Sequence, residues 1–388
     1  MSKVSAFLLA AALAGAAVAA SASIPASAAT ARLAAAGRAA ATGPAASVPP
    51  DRAYPVLIDG SSVSDPGTVT DIGPTWEVSL KLPVTPLGLG VIAIAPNGKY
   101  AYVLDGTAVE VISGVNTAHP KVAASVKPGG TPDNIVLTPN GADAYVSVYA
   151  GSGTTTTTAV KVLSGAGTGK LKLAASLSFG TDFAAVNAIT PDGKYAYATG
   201  GTALWPSVLW QIDGIATGHP KVAWSSVLGV RGTASWVTPN GKYLYVTTGP
   251  LAYGEGYLYR TETAKPERAR TFPFPAGARI LITPNGHWAY ASYWYINGKA
   301  KTTYDVQVIS GAQTTPKLGA RFQLADNAMP EAIQPDGNYA YGISSTANGL
   351  TKTGALVVLS GASAGHIKAA AIWKLPYAPQ SIAVSPVP

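Results

Sequence analysis

The 388-residue chain contains no cysteine. That excludes structural disulfides, thiolate nucleophiles, cysteine-ligated zinc, c-type haem attachment and a lipidated N-terminal cysteine. Charge is scarce as well: 12% of residues are charged, against about a quarter in an ordinary soluble domain. The surface must therefore rely on Ser, Thr, Gly, Ala, Asn and Tyr. The net charge is +8, but the basic residues are dispersed, and the densest group, KPERAR at 265–270, includes Glu267. A nucleic-acid surface needs a basic stripe, so no nucleic-acid partner is expected. Only four histidines are present.

Long apolar runs are missing too. The longest, AFLLAAALAGAAVAA at 6–20, is mostly alanine and falls short of the roughly twenty residues a membrane span requires. It follows Lys3 and precedes the small residues ASA at 26–28, the pattern of a cleaved export signal. The segment 1–28 is predicted to be a signal peptide, leaving a secreted, extracellular protein with no membrane span. No twin arginine precedes the run, which favours ordinary unfolded export. Residues 29–50 are rich in Ala, Pro and Gly with almost no large apolar side chain, so a disordered spacer is expected there. Residues 51–388 are assigned to the folded domain.

What the chain has in abundance is repetition. APNGKYAYVLDG at 95 is followed by TPNGADAYVSVY at 138, TPDGKYAYATGG at 190, TPNGKYLYVTTG at 238, TPNGHWAYASYW at 283 and QPDGNYAYGISS at 334. The marker prolines Pro96, Pro139, Pro191, Pro239, Pro284 and Pro335, with a truncated copy at Pro386, are spaced by 43, 52, 48, 45, 51 and 51 residues. Such lengths suit four short antiparallel strands with their turns, the unit of a β-propeller. Proline presets φ, asparagine or aspartate suits the next position, and glycine accepts the left-handed conformation that closes the hairpin. The apolar stretch before each turn, VIAIA at 91–95 in the first unit, is read as a strand buried on both faces. In the strand after the turn Tyr100 and Tyr102 share one face. A second marker recurs in step between third and fourth strands: SGVNTAHPKV at 113, SGAGTGKLKL at 164, DGIATGHPKV at 213, SGAQTTPKL at 310 and SGASAGHIKA at 360. RTETAKPERA at 260 departs from it.

The C-terminal SIAVSPVP is a first strand without partners, and residues 54–82 supply three strands without a first. Joining them leaves no unpaired edge in the ring. The fold class expected is therefore all-β: a seven-bladed β-propeller of four-stranded antiparallel blades, one blade closed by both termini. The repeats resemble the YVTN-type seven-bladed propeller family, whose units carry a Pro-Asp/Asn-Gly-Lys turn followed by Tyr-Val-Thr-Asn. In TPNGKYLYVTTG, Tyr245, Val246 and Thr247 match and Thr248 replaces the asparagine. The resemblance spans 51–388. It implies a fold shared by surface or scaffold proteins, lactonases and quinoprotein dehydrogenase domains, with no common catalytic motif to carry over.

Three motifs suggest chemistry and fail on context. GASAG at 361–365, before His366, fits a nucleophile-elbow spacing, but it sits in the repeated connection rather than between a strand and a helix. GAGTGK at 165–170 lacks the glycine and hydroxyl residue of a phosphate loop. His119, His219 and His366 occupy equivalent repeat positions on different units. They cannot converge on one ion at about 2 Å. No metal, cofactor or catalytic residue is assigned.

Two candidate binding regions follow from the propeller geometry. First strands line the channel, and the segments leading into them place Asp133, Asp182, Arg231, Arg279, Asp326 and Glu331 at its mouth. Their mixed charge suits a small polar ligand or a cation, or else simple surface ion pairs. The second region is a rim of aromatics in the variable second-to-third connections: Trp205, Tyr253, Trp294 and Tyr295. Aromatic anchors of this kind suit sugar faces or peptide side chains. The function expected is non-enzymatic binding or scaffolding for an extracellular polysaccharide, peptide or protein, by a monomer. The alternatives are a channel-mouth, lactonase-like hydrolase and a propeller oxidoreductase.

Overall fold

Every repeated turn closes on its own chemistry. In the hairpin at 95–100 the Gly98 amide donates to the Ala95 carbonyl at 2.8 Å and the Lys99 amide to Asn97 Oδ1 at 3.0 Å. Gly98 has φ +67°, a left-handed value that glycine tolerates best. Where threonine precedes the proline, its hydroxyl braces the other side. Thr138 Oγ1 accepts from the Asp143 amide at 3.0 Å and donates to its carbonyl at 3.1 Å.

The computed structural model describes residues 55–59, 68–72, 77–82 and most of 91–385. Within that last span 116, 118, 152–155, 202–206, 229–231, 249–254, 263–264, 275–276, 297–301, 349–350 and 376–377 lie outside the described residues. The segments 1–28 and 29–50 also lie outside them. The described chain is an all-β propeller. Six four-stranded sheets are each continuous in sequence, and we name them blades A to F: 92–126, 131–180, 183–227, 232–272, 279–322 and 329–375.

The expectation of a seven-bladed propeller with one blade closed by both termini is corrected to six blades that are continuous in sequence. The remaining four-stranded sheet is composite, with Pro379–Val384 beside Pro55–Asp59, then Thr68–Ile72 and Glu77–Lys81. Its Pro55↔Val384 and Ile58↔Ser381 register brings distant parts of the chain together. No covalent Pro-Asn/Asp-Gly hairpin joins its first two strands, so it is not a repeat of the other six. The first strands neighbour one another in a circuit, with Pro379–Val384 between Met329–Ile333 and Ile92–Ile94.

The core lies between blades rather than within them. Tyr102, Leu104 and Val109 of blade A pack with Ile135, Val146 and Leu163 of blade B. Val56 and Leu82 pack on Ile92 and Val103, while Ile382 joins the cluster of Ile343 and Leu356. The second and third strands are the buried ones: Ala101–Asp105 and Ala108–Ile112 are buried throughout. First strands are not buried on both faces, contrary to expectation. Ile92 is buried but Ala93 and Ile94 are half-buried, because one side of each first strand faces the channel. Fourth strands form the periphery: that of blade A alternates between exposed and half-buried residues, and those of blades D and E are exposed over five of six residues.

Four pairs of adjacent blades are latched by a tyrosine that follows the turn. The Tyr102 hydroxyl donates to the Ala166 carbonyl, Tyr145 to Ile215 at 3.1 Å, Tyr245 to Ala312 at 2.7 Å and Tyr290 to Ala362 at 2.7 Å. Each acceptor lies in the repeated third-to-fourth connection of the next blade. Tyr197 faces blade D, whose connection departs from the motif, and its hydroxyl instead accepts from Gln211 Nε2 at 3.5 Å. The turns and connections thus recur together because one is the binding partner of the other. Ser363 of GASAG also has a structural job, this one within blade F, donating to the Gly337 carbonyl at 2.7 Å.

Candidate ligand site at the channel mouth

Five first strands break register once, and each break skips one polar residue in the pairing. The skipped residues are Asp133, Asn187, Thr233, Glu331 and Gln380. A β-bulge re-aims a side chain and is favoured beside functional sites. Here strict alternation would leave these positions to the pleat of the sheet; the extra residue frees them from it.

A cavity of about 250 Å³ opens where blades B to F meet the channel. Its polar lining is Asn134, Asn187, Ser235, Trp236, Arg279 and Glu331, with Ala234, Ile280, Leu281 and Pro330 completing the wall. Arg279 begins the first strand of blade E, and its Nη1 stands 2.7 Å from Glu331 Oε1 of blade F. The two partners differ in environment: the Arg279 side chain is 52% exposed and that of Glu331 is 9% exposed. Burial pushes the Glu331 carboxyl above the usual carboxylate range, while the Arg279 charge and hydrogen bond pull it back. The upward effect is the larger.

The amides opposite are fixed in place. Asn134 Nδ2 donates to the Val186 carbonyl at 2.6 Å and to Asn187 Oδ1 at 3.3 Å, and its Oδ1 accepts from the Ile135 amide at 3.0 Å. Asn187 Nδ2 donates to Thr199 Oγ1 at 2.7 Å and to the Ala185 carbonyl at 3.0 Å. Ser235 is fully buried, and its hydroxyl has no hydrogen-bond partner among the described residues. A buried hydroxyl without a partner costs roughly 1–3 kcal/mol, so this position is primed for a ligand group or water.

Of the six charged residues expected at the mouth, only Arg279 and Glu331 meet in this cavity. Asp133 is exposed but surrounded by the mass of the concave mouth, which pushes its carboxyl up. It also adds to the upward shift that burial imposes on Tyr149. Asp182 is half-buried in the turn before Phe183–Ile189 and does not line the cavity. Asp326, at φ +56°, pairs with Lys374 at 2.5 Å away from the cavity. Arg231 lies outside the described residues. Sequence reasoning missed Asn134, Asn187, Ser235 and Trp236. The two asparagines were visible as the only amide side chains four or five residues before a marker proline in blades B and C.

Of the four rim aromatics, Trp294 and Tyr295 are among the described residues. Trp205 and Tyr253 lie outside them. Trp294 is 46% exposed, whereas Tyr295 is half-buried and donates to Asp305 Oδ2 at 3.3 Å. As neighbours on one strand the two point to opposite faces. Among the described residues no three His, Asp or Glu side chains gather as metal ligands, and no helix is long and apolar enough to cross a membrane. A larger open groove of about 500 Å³ runs between blades A and B past Tyr100, Lys170 and Lys172. It lacks a convergent acid–base or amide set.

No protein-family model matches the chain, and none of the curated proteins does. The YVTN-type resemblance therefore rests on the repeats alone. Solved structures do match in fold. A protein of Bacteroides uniformis described as a candidate 6-phosphogluconolactonase is 15% identical with a TM-score of 0.64, covering 86% of this chain and 99% of its own. The periplasmic gluconolactonase of Pseudomonas aeruginosa is 12% identical with a TM-score of 0.62, covering 87% and 100%. The dihydro-heme d1 dehydrogenase NirN is 13% identical with a TM-score of 0.53, covering 85% and 74%. At these identities the likeness is one of fold.

Proposed function

We propose that the protein binds a small, polyhydroxylated carboxylate or its lactone at the channel mouth. One observation carries this reading. The Arg279–Glu331 pair at 2.7 Å opens onto a cavity also lined by Asn134, Asn187 and Ser235. The guanidinium supplies forked donors for carboxylate or carbonyl oxygen. The amides and hydroxyl suit ligand hydroxyls, and Trp236 offers an apolar face. The size suits a ligand of roughly a dozen non-hydrogen atoms rather than a polymer. The apolar stretch 6–20 and the ASA at 26–28 support an exported, extracellular setting.

A second reading has its own observation. Glu331 is a buried carboxyl with a raised pKa beside a cation, the environment of a general base. With Arg279 polarising a ring carbonyl, it would activate water for lactone opening. The gluconolactonase among the fold neighbours supports this reading by analogy only. Contact between exposed Trp294 and a polysaccharide or protein is a lesser proposal, supported by that single residue.

The test is calorimetric titration with D-gluconate, alongside a pH-stat assay of D-glucono-1,5-lactone opening. Gluconate binding that falls at least about tenfold in Arg279→Ala supports the site, and tenfold corresponds to about 1.4 kcal/mol. Lactone opening above the spontaneous rate, lost in the same variant, selects the hydrolase. Absence of both binding and turnover overturns the reading.

A further inference from the structure

The Arg279–Glu331 pair is asymmetric and lies at the cavity wall. The acid is nearly enclosed, while the base has half its surface in water and stands at the cavity wall. Glu331 is the bulged residue of Met329–Ile333, so its carboxylate reaches the cavity through a local register break. Its Oε1 occupies a position 2.7 Å from the guanidinium, the spacing of a charge-assisted contact to any carboxylate.

We infer that Glu331 is an internal stand-in for an anionic ligand: an incoming carboxylate takes Arg279, and Glu331, left without its cation, takes up one proton from solvent. This rests on the channel-mouth reading above and adds to it the ligand's charge and its coupling to pH. The exchange balances. An ion pair plus a ligand anion plus one proton becomes a new ion pair plus a neutral acid, with no charge left uncompensated in the cavity. Removing the counterion from an enclosed carboxylate without protonation would be strongly unfavourable.

Among the described residues the surroundings offer no substitute counterion. The elements packed against Met329–Ile333 carry the tyrosines and Asp305 of the hairpin 288–310, Tyr339 and Tyr341, and Arg279; Pro379–Val384 brings no titratable side chain. Of these, only Arg279 acts on the Glu331 charge. The rest of the described cavity wall is uncharged. Burial already favours the neutral acid and Arg279 opposes it, so loss of Arg279 to a ligand moves Glu331 further toward protonation.

Titration calorimetry of the full chain with D-gluconate and D-sorbitol, a neutral polyol of equal chain length, tests the exchange. Each is run in two buffers of different ionisation enthalpy between pH 6 and 8. Gluconate is expected to bind at least about tenfold more tightly than sorbitol, with uptake approaching one proton. Its affinity should weaken with rising pH, toward about tenfold per unit at the limit. Glu331→Gln should bind gluconate more tightly than the parent, without proton uptake and with a flat pH profile. Equal binding of both probes without proton uptake would sink the exchange yet leave the site standing. If neither probe binds parent or variant, both the site and the exchange fall.

Discussion

At Glu331 two opposing effects act on one carboxyl. Burial raises its pKa and Arg279 lowers it, with burial the stronger. The consequence for stability runs against the intuition attached to a short ion pair. A carboxyl whose folded pKa lies above its unfolded value favours the fold below the ordinary range of about 4.3. That contribution is lost as pH rises through the folded value. At pH 8 the ionised, enclosed Glu331 is therefore a net cost. Glu331→Gln is expected to melt at or above the parent temperature at pH 8, with a gain on the order of 1 kcal/mol or less. The fall in stability between pH 5 and pH 8 should also flatten. Arg279, left alone, is half in water and solvates readily. A clear drop in melting temperature at pH 8 would show that the pair outweighs its desolvation.

Among elements, the unit that repeats is a turn plus the connection it grips on the next blade. The connection 361–365 shows what the fit requires. Gly361 and Gly365 both have φ +81°, and a Cβ added at Gly365 would meet the Trp288 ring at 2.5 Å. Removing only the Tyr290 hydroxyl tests the grip without disturbing packing. Tyr290→Phe should cost about 1–1.5 kcal/mol, because the buried Ala362 carbonyl loses its donor. Tyr197→Phe should cost clearly less, since among the described residues that hydroxyl meets only Gln211, at 3.5 Å. Denaturant melts of the two variants give the comparison, and equal losses would mean that the hydroxyls do not latch the blades. The missing latch was legible in the sequence, where RTETAKPERA at 260 breaks the motif. The bulges were not legible. Whether Asp133 or Asn134 is skipped depends on pairing with Ser147 and Val148 in the next strand, not on residues beside it in the chain.

For the whole molecule, the composite sheet is where distant sequence meets. Pro379–Val384 pairs with Pro55–Asp59, and its Ile382 packs in the cluster of Ile343 and Leu356. Deleting 379–388 removes a strand that touches the first strands on both sides. It should lower stability by well over the about 1–3 kcal/mol of a single buried apolar side chain. It should also expose the Pro55–Asp59 edge to aggregation. Thermal melting and light scattering of the truncated chain check this. A truncated protein that melts like the parent would mean that the composite sheet adds nothing to the ring.

The sequence by itself determined the propeller class, the six turn-closed hairpins and the apolar strands behind them. Those features act over a few residues: proline and glycine set φ, asparagine or aspartate closes the turn, and alternation assigns faces. It also suggested a charged mouth of six candidates, and of the five that are described Arg279 and Glu331 converge. That outcome belongs to the tertiary structure, because the cavity draws residues from Asn134 to Glu331 across five blades. Register breaks set by neighbouring strands decide which of them face inward. Burial, likewise, is a property of the assembled ring, and it is burial that raises the Glu331 carboxyl against the pull of Arg279.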